Sequence, residues 1–269
     1  MRSTRQALKG FGLHLRRKSL KLCRALRTPG VHKSVYVFAI VCVKRAEYVR
    51  MAIDNINSLL YLNAGHSFVI YADALCRAEY ARLEKRLDYP ECVECVDAFG
   101  GASRPWQHYK VEALIDASRN GRVLTDADGL WHDDPVLDRD MPTMLVSAYP
   151  IKDNRVETLI VSRLFPGYGA IRFDHYVSGL VSIPSRFMTE ALAEDIRRCT
   201  DILLSHPLEF LGSDTERENT RRLAEELGVN IALQHAYKGR IAVLKQSDGP
   251  KDRTQLQSLY YGCHNHILE

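Results

Sequence analysis

A chain of 269 residues with 46% hydrophobic and 26% charged residues has an ordinary globular balance and room for one large domain or two small ones. Seven irregularly spaced cysteines do not form the dense framework of a small disulfide-bonded secreted domain, so reduced thiols in a cytoplasmic compartment are expected. No apolar run approaches the roughly 18 residues that cross a bilayer, and the net charge of +4 is too small to mark the whole chain as a nucleic-acid binder.

That charge is unevenly spread. Residues 1–33 hold ten Lys or Arg and no acid, which leaves 27 basic and 33 acidic residues in the remainder. Leu8, Phe11, Leu15, Leu22 and Leu26 fall on one stripe at helical spacing, with Arg16, Arg17, Lys18, Lys21, Arg24 and Arg27 around the rest. The pattern describes an amphipathic leader that lies on an anionic membrane surface, peripheral at its inner, cytoplasmic face. A disordered basic tail and an organellar transit peptide share these features, and Gly10 and Gly12 weaken the first part of the helix. The domain boundaries expected are 1–33 for the leader and 34–269 for a single globular domain.

After the linker Thr28-Pro29-Gly30, strands alternate with helices. Residues 35–43 are a continuous β-rich apolar run, the mark of a strand covered on both faces. Val49, Ala52, Ile53, Ile56, Leu59 and Leu60 predict a helix that the turn residues of 63–65 close. Residues 68–71 read as a second strand, 77–87 as a charged helix, 92–96 as a third strand, 106–118 as a helix and 122–125 as a further strand. Such alternation predicts an α/β fold with a mainly parallel sheet flanked by helices, with ligands at the carboxyl ends of its strands. Further on, 149–172 lacks periodicity and reads as an irregular substrate loop or lid. A core-packing helix is expected from Met188 to Leu204. Another opens on the capping box of Ser213 and Glu216, contains Leu223, Ala224 and Leu227, and ends at Gly228.

The most informative stretch is Thr125-Asp126-Ala127-Asp128-Gly129, followed by Trp131 and Asp133-Asp134-Pro135. Side chains at i and i+2 of a strand project to the same side, so Asp126 and Asp128 are expected to converge at the end of the 122–125 strand. Two hard oxygen ligands suit Mg²⁺ or Mn²⁺, with open positions left for water and the phosphates of a nucleotide. An Asp-rich turn whose carboxylates cap backbone amides has the same composition. Asp73, just past the second strand, falls on the same sheet edge. Cys92 and Cys95 form one C-x-x-C with no second such pair, which argues against a zinc site, although Cys263, His264 and His266 could complete one. Gly167-Tyr168-Gly169 lacks the third glycine and the preceding strand of a dinucleotide fingerprint.

Residues 39–56, Gln107 to Leu114, and Gly121 to Asp128 with its following Asp-Asp-Pro resemble the first strand and helix, then the helix, strand and metal motif, of the GT-A fold of nucleotide-sugar glycosyltransferases. His175 to Ile183 is similar to the strand that carries an Asn-Gly or Ser-Gly at the acceptor side. The resemblance covers about residues 35–215. It implies a metal-dependent transfer of a hexose-like sugar from a nucleotide-diphosphate sugar to a hydroxyl of a glycan or lipid-linked acceptor. A divalent cation on both phosphates stabilises the departing charge.

Carried over position by position, the resemblance implies that Asp128 binds the metal and that Asp126 contacts the ribose or the metal. Asp73 lies near the base, Lys110 reaches a phosphate or the donor sugar, and Lys44 and Arg45 face the diphosphate in a turn where an Asn is commoner. Asp214 and Glu216 lie where a catalytic base on the acceptor is often found, and His264 resembles the late histidine that completes the metal site of several members. Each has a plainer alternative: turn residues for Asp73, a solvated lysine for Lys110, the capping box for Asp214 and Glu216, a tail residue for His264. A sugar nucleotidylyltransferase shares the sheet but wants a Gly-rich loop after the first strand, which Val43 to Glu47 does not supply. A non-catalytic membrane-surface or nucleic-acid-binding protein acting through the leader is the remaining alternative.

Overall fold

The computed structural model describes residues 34–99, 104–131, 134–146, 155–168, 176–238 and 240–245. The basic leader and the tail with Cys263, His264 and His266 lie outside the described residues. The chain divides into Met1–Ser34 and Val35–Glu269, and the fold below belongs to the second unit.

Strands β1 (Val37–Cys42), β2 (Ser67–Ala72), β3 (Val93–Asp97) and β4 (Val123–Thr125) are linked by helices α1 (Glu47–Leu62), α2 (Ala74–Leu83) and α3 (Trp106–Arg119). They pair in parallel in the order β3-β2-β1-β4, with Phe38 opposite Phe68 on one side and Val123 on the other. Beyond β4 the sheet continues through β6 (Val177–Ser182), β5 (Thr143–Val146) and β7 (Ala242–Lys245). β6 runs antiparallel to both β4 and β5, while β7 is parallel to β5. The described residues thus form a single α/β sheet of seven strands, mainly parallel and flanked by helices, as expected.

β1 shows why the run is apolar throughout. Phe38, Ile40 and Cys42 pack with α1 and α2 on one face, whereas Ala39 and Val43 pack with α3 and the later helices on the other. At about 1.5–3 kcal/mol for each fully buried large side chain, the fully buried Phe38, Ile40, Phe68 and Ile70 make this the rigid centre of the sheet.

Two expectations differ from what is observed, and two strands have no counterpart among the expected elements. The segment 149–172 is not irregular throughout: helix α4 (Arg155–Leu164) buries Ile160 and Val161, and a 3₁₀ turn follows at Pro166–Tyr168. Its apolar stripe is only two turns long and vanishes beside the Lys, Asp and Arg residues before it. The helix opening at Ser213 is two helices, α6 (Asp214–Arg222) and α7 (Ala224–Tyr237), and Gly228 lies inside α7 rather than ending it. A Cβ on Gly228 would sit 2.4 Å from Thr200 Oγ1 and 2.9 Å from Thr200 N of α5 (Glu190–Ser205), so the glycine allows two helix backbones to approach. Strands β5 and β7 are four residues each, too short for a periodic signal.

Candidate functional site

The sheet order reverses direction between β1 and β4, and ligands in open α/β sheets enter the crevice beyond the carboxyl ends of such a pair. Val43 to Ala46 leave β1 on that edge, Asp73 leaves β2, and Asp126 to Gly129 leave β4. Antiparallel β6 brings its first residues, including Ser178, to the same edge.

β4 ends at Thr125, so Asp126 and Asp128 stand on the turn beyond the strand and the pleat does not align them. Other contacts fix the turn. Asp126 N donates to Gly179 O at 3.1 Å, the Asp126 carbonyl accepts from Asn55 Nδ2 at 2.7 Å, and its carboxylate pairs with Lys110 Nζ at 2.6 Å. Asp128 is partly buried two residues on.

Lys110 is no solvated helix lysine. With 12% of its side chain exposed, its ammonium touches Asp126, Glu225 Oε1 at 3.2 Å and Ser178 Oγ at 2.9 Å. Burial works to lower the ammonium's pKa, but the charges of Asp126 and Glu225 outweigh it and hold the group above its ordinary value. Glu226 Oε2 accepts from Ser178 N at 2.7 Å and from Ser178 Oγ at 3.0 Å. Asn230, one turn further along α7, donates to Tyr176 O at 2.6 Å and accepts from Tyr176 N at 3.1 Å. Its neighbour Glu225 is pushed above the usual carboxylate range, first by burial and then by Glu226 and Asp126, against the pull of Lys110. Glu225 Oε2 is buried with no hydrogen-bond partner among the described residues. Three acidic side chains thus gather round one ammonium.

Glu225 and Glu226 were not anticipated, and Ser178 only as the serine of the Ser-Gly expected on this strand. The signal available was an acid pair opening a helix that is otherwise apolar, since Ala224 to Gln234 is buried without a break. An acid in such a run needs a buried cation or backbone donors.

The remaining expected residues fall into two groups. Lys44 and Asp73 lie together on the edge: Lys44, at φ +69°, donates its backbone N–H to Asp73 Oδ2 at 2.7 Å, and its ammonium lies 5.4 Å from the centre of the Tyr109 ring. The other Asp73 oxygen caps α2 by accepting from Cys76 N at 2.9 Å. Burial raises the Asp73 pKa, but these two amides outweigh it and leave the group below its ordinary value. Arg45 is half exposed and paired with Glu47. Asp214 and Glu216 are not brought to Asp126: Asp214 is 99% exposed and pairs with Arg217, and Glu216 completes the capping box with Ser213. His264 lies outside the described residues. A groove of about 390 Å³ opens between α3 and α5, lined by Arg104, His108, Glu112, Arg197 and Asp201, and contains none of the expected residues.

The Asp126 carboxylate at this edge, with Asp128 two residues on, offers oxygen ligands of the kind a hard divalent cation takes. Among the described residues no group of three His, Cys, Asp or Glu gathers to hold a metal.

No protein-family model matches the sequence, and no curated protein matches it. Among solved structures, the chain is similar to the apo bifunctional glycosyltransferase WbbM at TM-score 0.48 and 14% identity, over 81% of this chain and 40% of that one. Similarity to the apo glycosyltransferase GlyE of Streptococcus pneumoniae has TM-score 0.46 and 11% identity, over 79% and 45%. The chain thus spans less than half the length of either. The galactosyltransferase LgtC, in complex with donor and acceptor sugar analogues, is similar at TM-score 0.45 and 13% identity, over 77% and 73%.

Proposed function

We propose that this chain is a glycosyltransferase that transfers a sugar from a nucleotide-diphosphate sugar to an acceptor hydroxyl, assisted by Mn²⁺ or Mg²⁺. The observation that carries the reading is the placement of Asp126 and Asp128 at the β1/β4 switch point, with Asp126 held by the buried Lys110 among Glu225, Glu226 and Ser178. A bound divalent cation would neutralise charge on the departing diphosphate. Asp126 and Asp128 would hold it. Lys110 fixes the Asp126 carboxylate and neutralises the acids beneath it, so its role is to hold the site rather than to reach for a phosphate. Lys44 and Arg45, on the turn after β1, are the proposed cationic contacts of the diphosphate, and the Asp73 carboxylate bracing the Lys44 backbone supports this part of the reading.

Asp214 and Glu216 remain the proposed source of a base, and their present contacts give this part of the reading its least support. The acceptor proposed is a hydroxyl of a glycan or lipid-linked saccharide, met at an anionic membrane surface through residues 1–33. Among the described residues no helix is long and apolar enough to cross a membrane.

Calorimetric titration of the common nucleoside diphosphates, with and without Mn²⁺, tests the reading. One of them should bind the wild-type chain in a Mn²⁺-dependent manner, and Asp128→Ala should abolish that dependence. Binding indifferent to both metal and substitution would remove Asp126 and Asp128 from the function.

A further inference from the structure

Eight positions of α1 are buried, and seven of them are Val49, Met51, Ala52, Ile53, Ile56, Leu59 and Leu60. The eighth is Asn55, which is fully buried. An amide in such a face costs stability unless both its ends are paired, and a helix that needed only packing would carry a leucine there. Both ends of Asn55 are paired, and both partners belong to the segment that carries the acid pair. Nδ2 donates to the Asp126 carbonyl at 2.7 Å, and Oδ1 accepts from Trp131 Nε1 at 3.1 Å. Ser58, one turn along the same face, accepts from Trp131 N at 3.1 Å. One buried amide therefore grips the turn at residues 126 and 131, and Asp128 lies between the grips.

We propose that Asn55 is a positioning residue: it sets the separation of the Asp126 and Asp128 carboxylates and so determines how tightly the site takes a divalent cation with a nucleoside diphosphate. The inference rests on the donor-site reading above. The Asp126 side chain is already fixed by Lys110 and its N–H by Gly179 O, so the carbonyl bond from Asn55 completes the restraint on that residue. Every bond of this kind spares the cation the cost of ordering the turn, and loss of such an outer partner typically weakens metal binding by about 10- to 100-fold.

The test compares Asn55→Leu, which keeps the branched side-chain skeleton and removes both bonds, with Trp131→Phe, which removes the Trp131 Nε1 bond and keeps the bond to Asp126. Asn55→Ser replaces the leucine variant if that one does not fold. For each, the affinity of the tightest nucleoside diphosphate is measured by calorimetry with and without Mn²⁺, beside thermal unfolding of the ligand-free chain. The Asn55 variant, which loses both grips, should lose about 10- to 100-fold of the Mn²⁺-dependent gain with metal-free affinity unchanged, while Trp131→Phe, which keeps the grip on Asp126, loses a clearly smaller part of it. Retention of the full gain by the Asn55 variant overturns the inference and leaves the donor site standing. Equal losses in both variants also overturn it, because turn stability in general would then be the cause. Absence of any Mn²⁺-dependent gain in the wild type sinks the donor reading and this inference with it.

Discussion

Among the acid pairs of this chain that stand one residue apart, Asp126 with Asp128 and Asp214 with Glu216 are treated in opposite ways by the structure. The first pair follows a buried strand, and the backbone and carboxylate of Asp126 are held by Gly179, Asn55 and Lys110. The second pair opens helix α6, where Asp214 is 99% exposed beside Arg217 and Glu216 is occupied with the Ser213 backbone. Spacing of acids is therefore a poor guide to chemistry. What separates the pairs is whether the protein has spent stability on them: a buried cation and a buried amide face the first, and solvent faces the second.

The sharpest way to break this contrast is to remove the cation. Lys110→Met leaves Asp126, Glu225 and Glu226 without their ammonium, and a stability loss of about 3–5 kcal/mol is expected from denaturant unfolding. A loss below about 1 kcal/mol, the scale of an exposed pair, would show that the two segments differ less than their burial suggests. Glu225 gives the same contrast a pH signature. Its pKa is raised from 4.5 in the folded state, so above that value the folded chain holds a proton that the unfolded chain has released. Its contribution to stability therefore falls as pH rises from about 4.5 through the raised value. The stability of Glu225→Gln relative to wild type should increase across that window. A flat difference would mean that Glu225 is ionised in the folded chain.

How much of this was legible beforehand depends on the kind of signal. β1, α1, β2 and the acid-bearing turn were readable because an uninterrupted apolar run and a 3.6-residue stripe report burial directly. The residues that make the Asp126 site were not. Glu225 meets Lys110 across a separation of more than a hundred residues, and the one local trace, an acid pair opening a mostly apolar run, does not name its partner. Gly228 misled for a related reason. A glycine after a helical stripe commonly ends the helix, whereas here it admits the backbone of Thr200, a tertiary demand that leaves no local trace. The capping box of Ser213 and Glu216, by contrast, is a local motif and was visible as such.

A smaller effect tests how Glu225 and Glu226 are held beneath Asp126. Gly228→Ala forces a Cβ to within 2.4 Å of Thr200 Oγ1 and 2.9 Å of Thr200 N, and backbone cannot rotate away. A cost of about 1–3 kcal/mol is expected. Adding Thr200→Ala should recover only part of it, because the backbone contact persists. Full recovery would place the clash in the hydroxyl alone and leave α7 free to shift.

Asp73 stands between the two extremes, partly exposed but accepting from two amides. Asp73→Asn keeps one amide oxygen to cap α2 but leaves the Lys44 N–H facing an NH₂, and should cost about 1 kcal/mol at neutral pH. Because the folded pKa is below 3.8, the wild-type advantage is present above that value and lost as pH falls through the lowered one. A pH-independent difference would assign the effect to shape rather than charge.

The least perturbing change is expected at Asp214, and for that reason it discriminates best. Asp214→Asn removes an exposed ion pair with Arg217, a kind of contact that rarely registers in stability. The unfolding midpoint and the Mn²⁺-dependent binding of nucleoside diphosphate should both match wild type. Turnover then separates two accounts of the residue. A base on the acceptor hydroxyl predicts that the asparagine variant binds donor normally and transfers no sugar, since the amide cannot take the proton. A residue that only decorates the start of α6 predicts unchanged transfer. Because folding and donor binding are held constant in both cases, the transfer rate alone decides whether the exposed acid pair shares the reaction with the buried one.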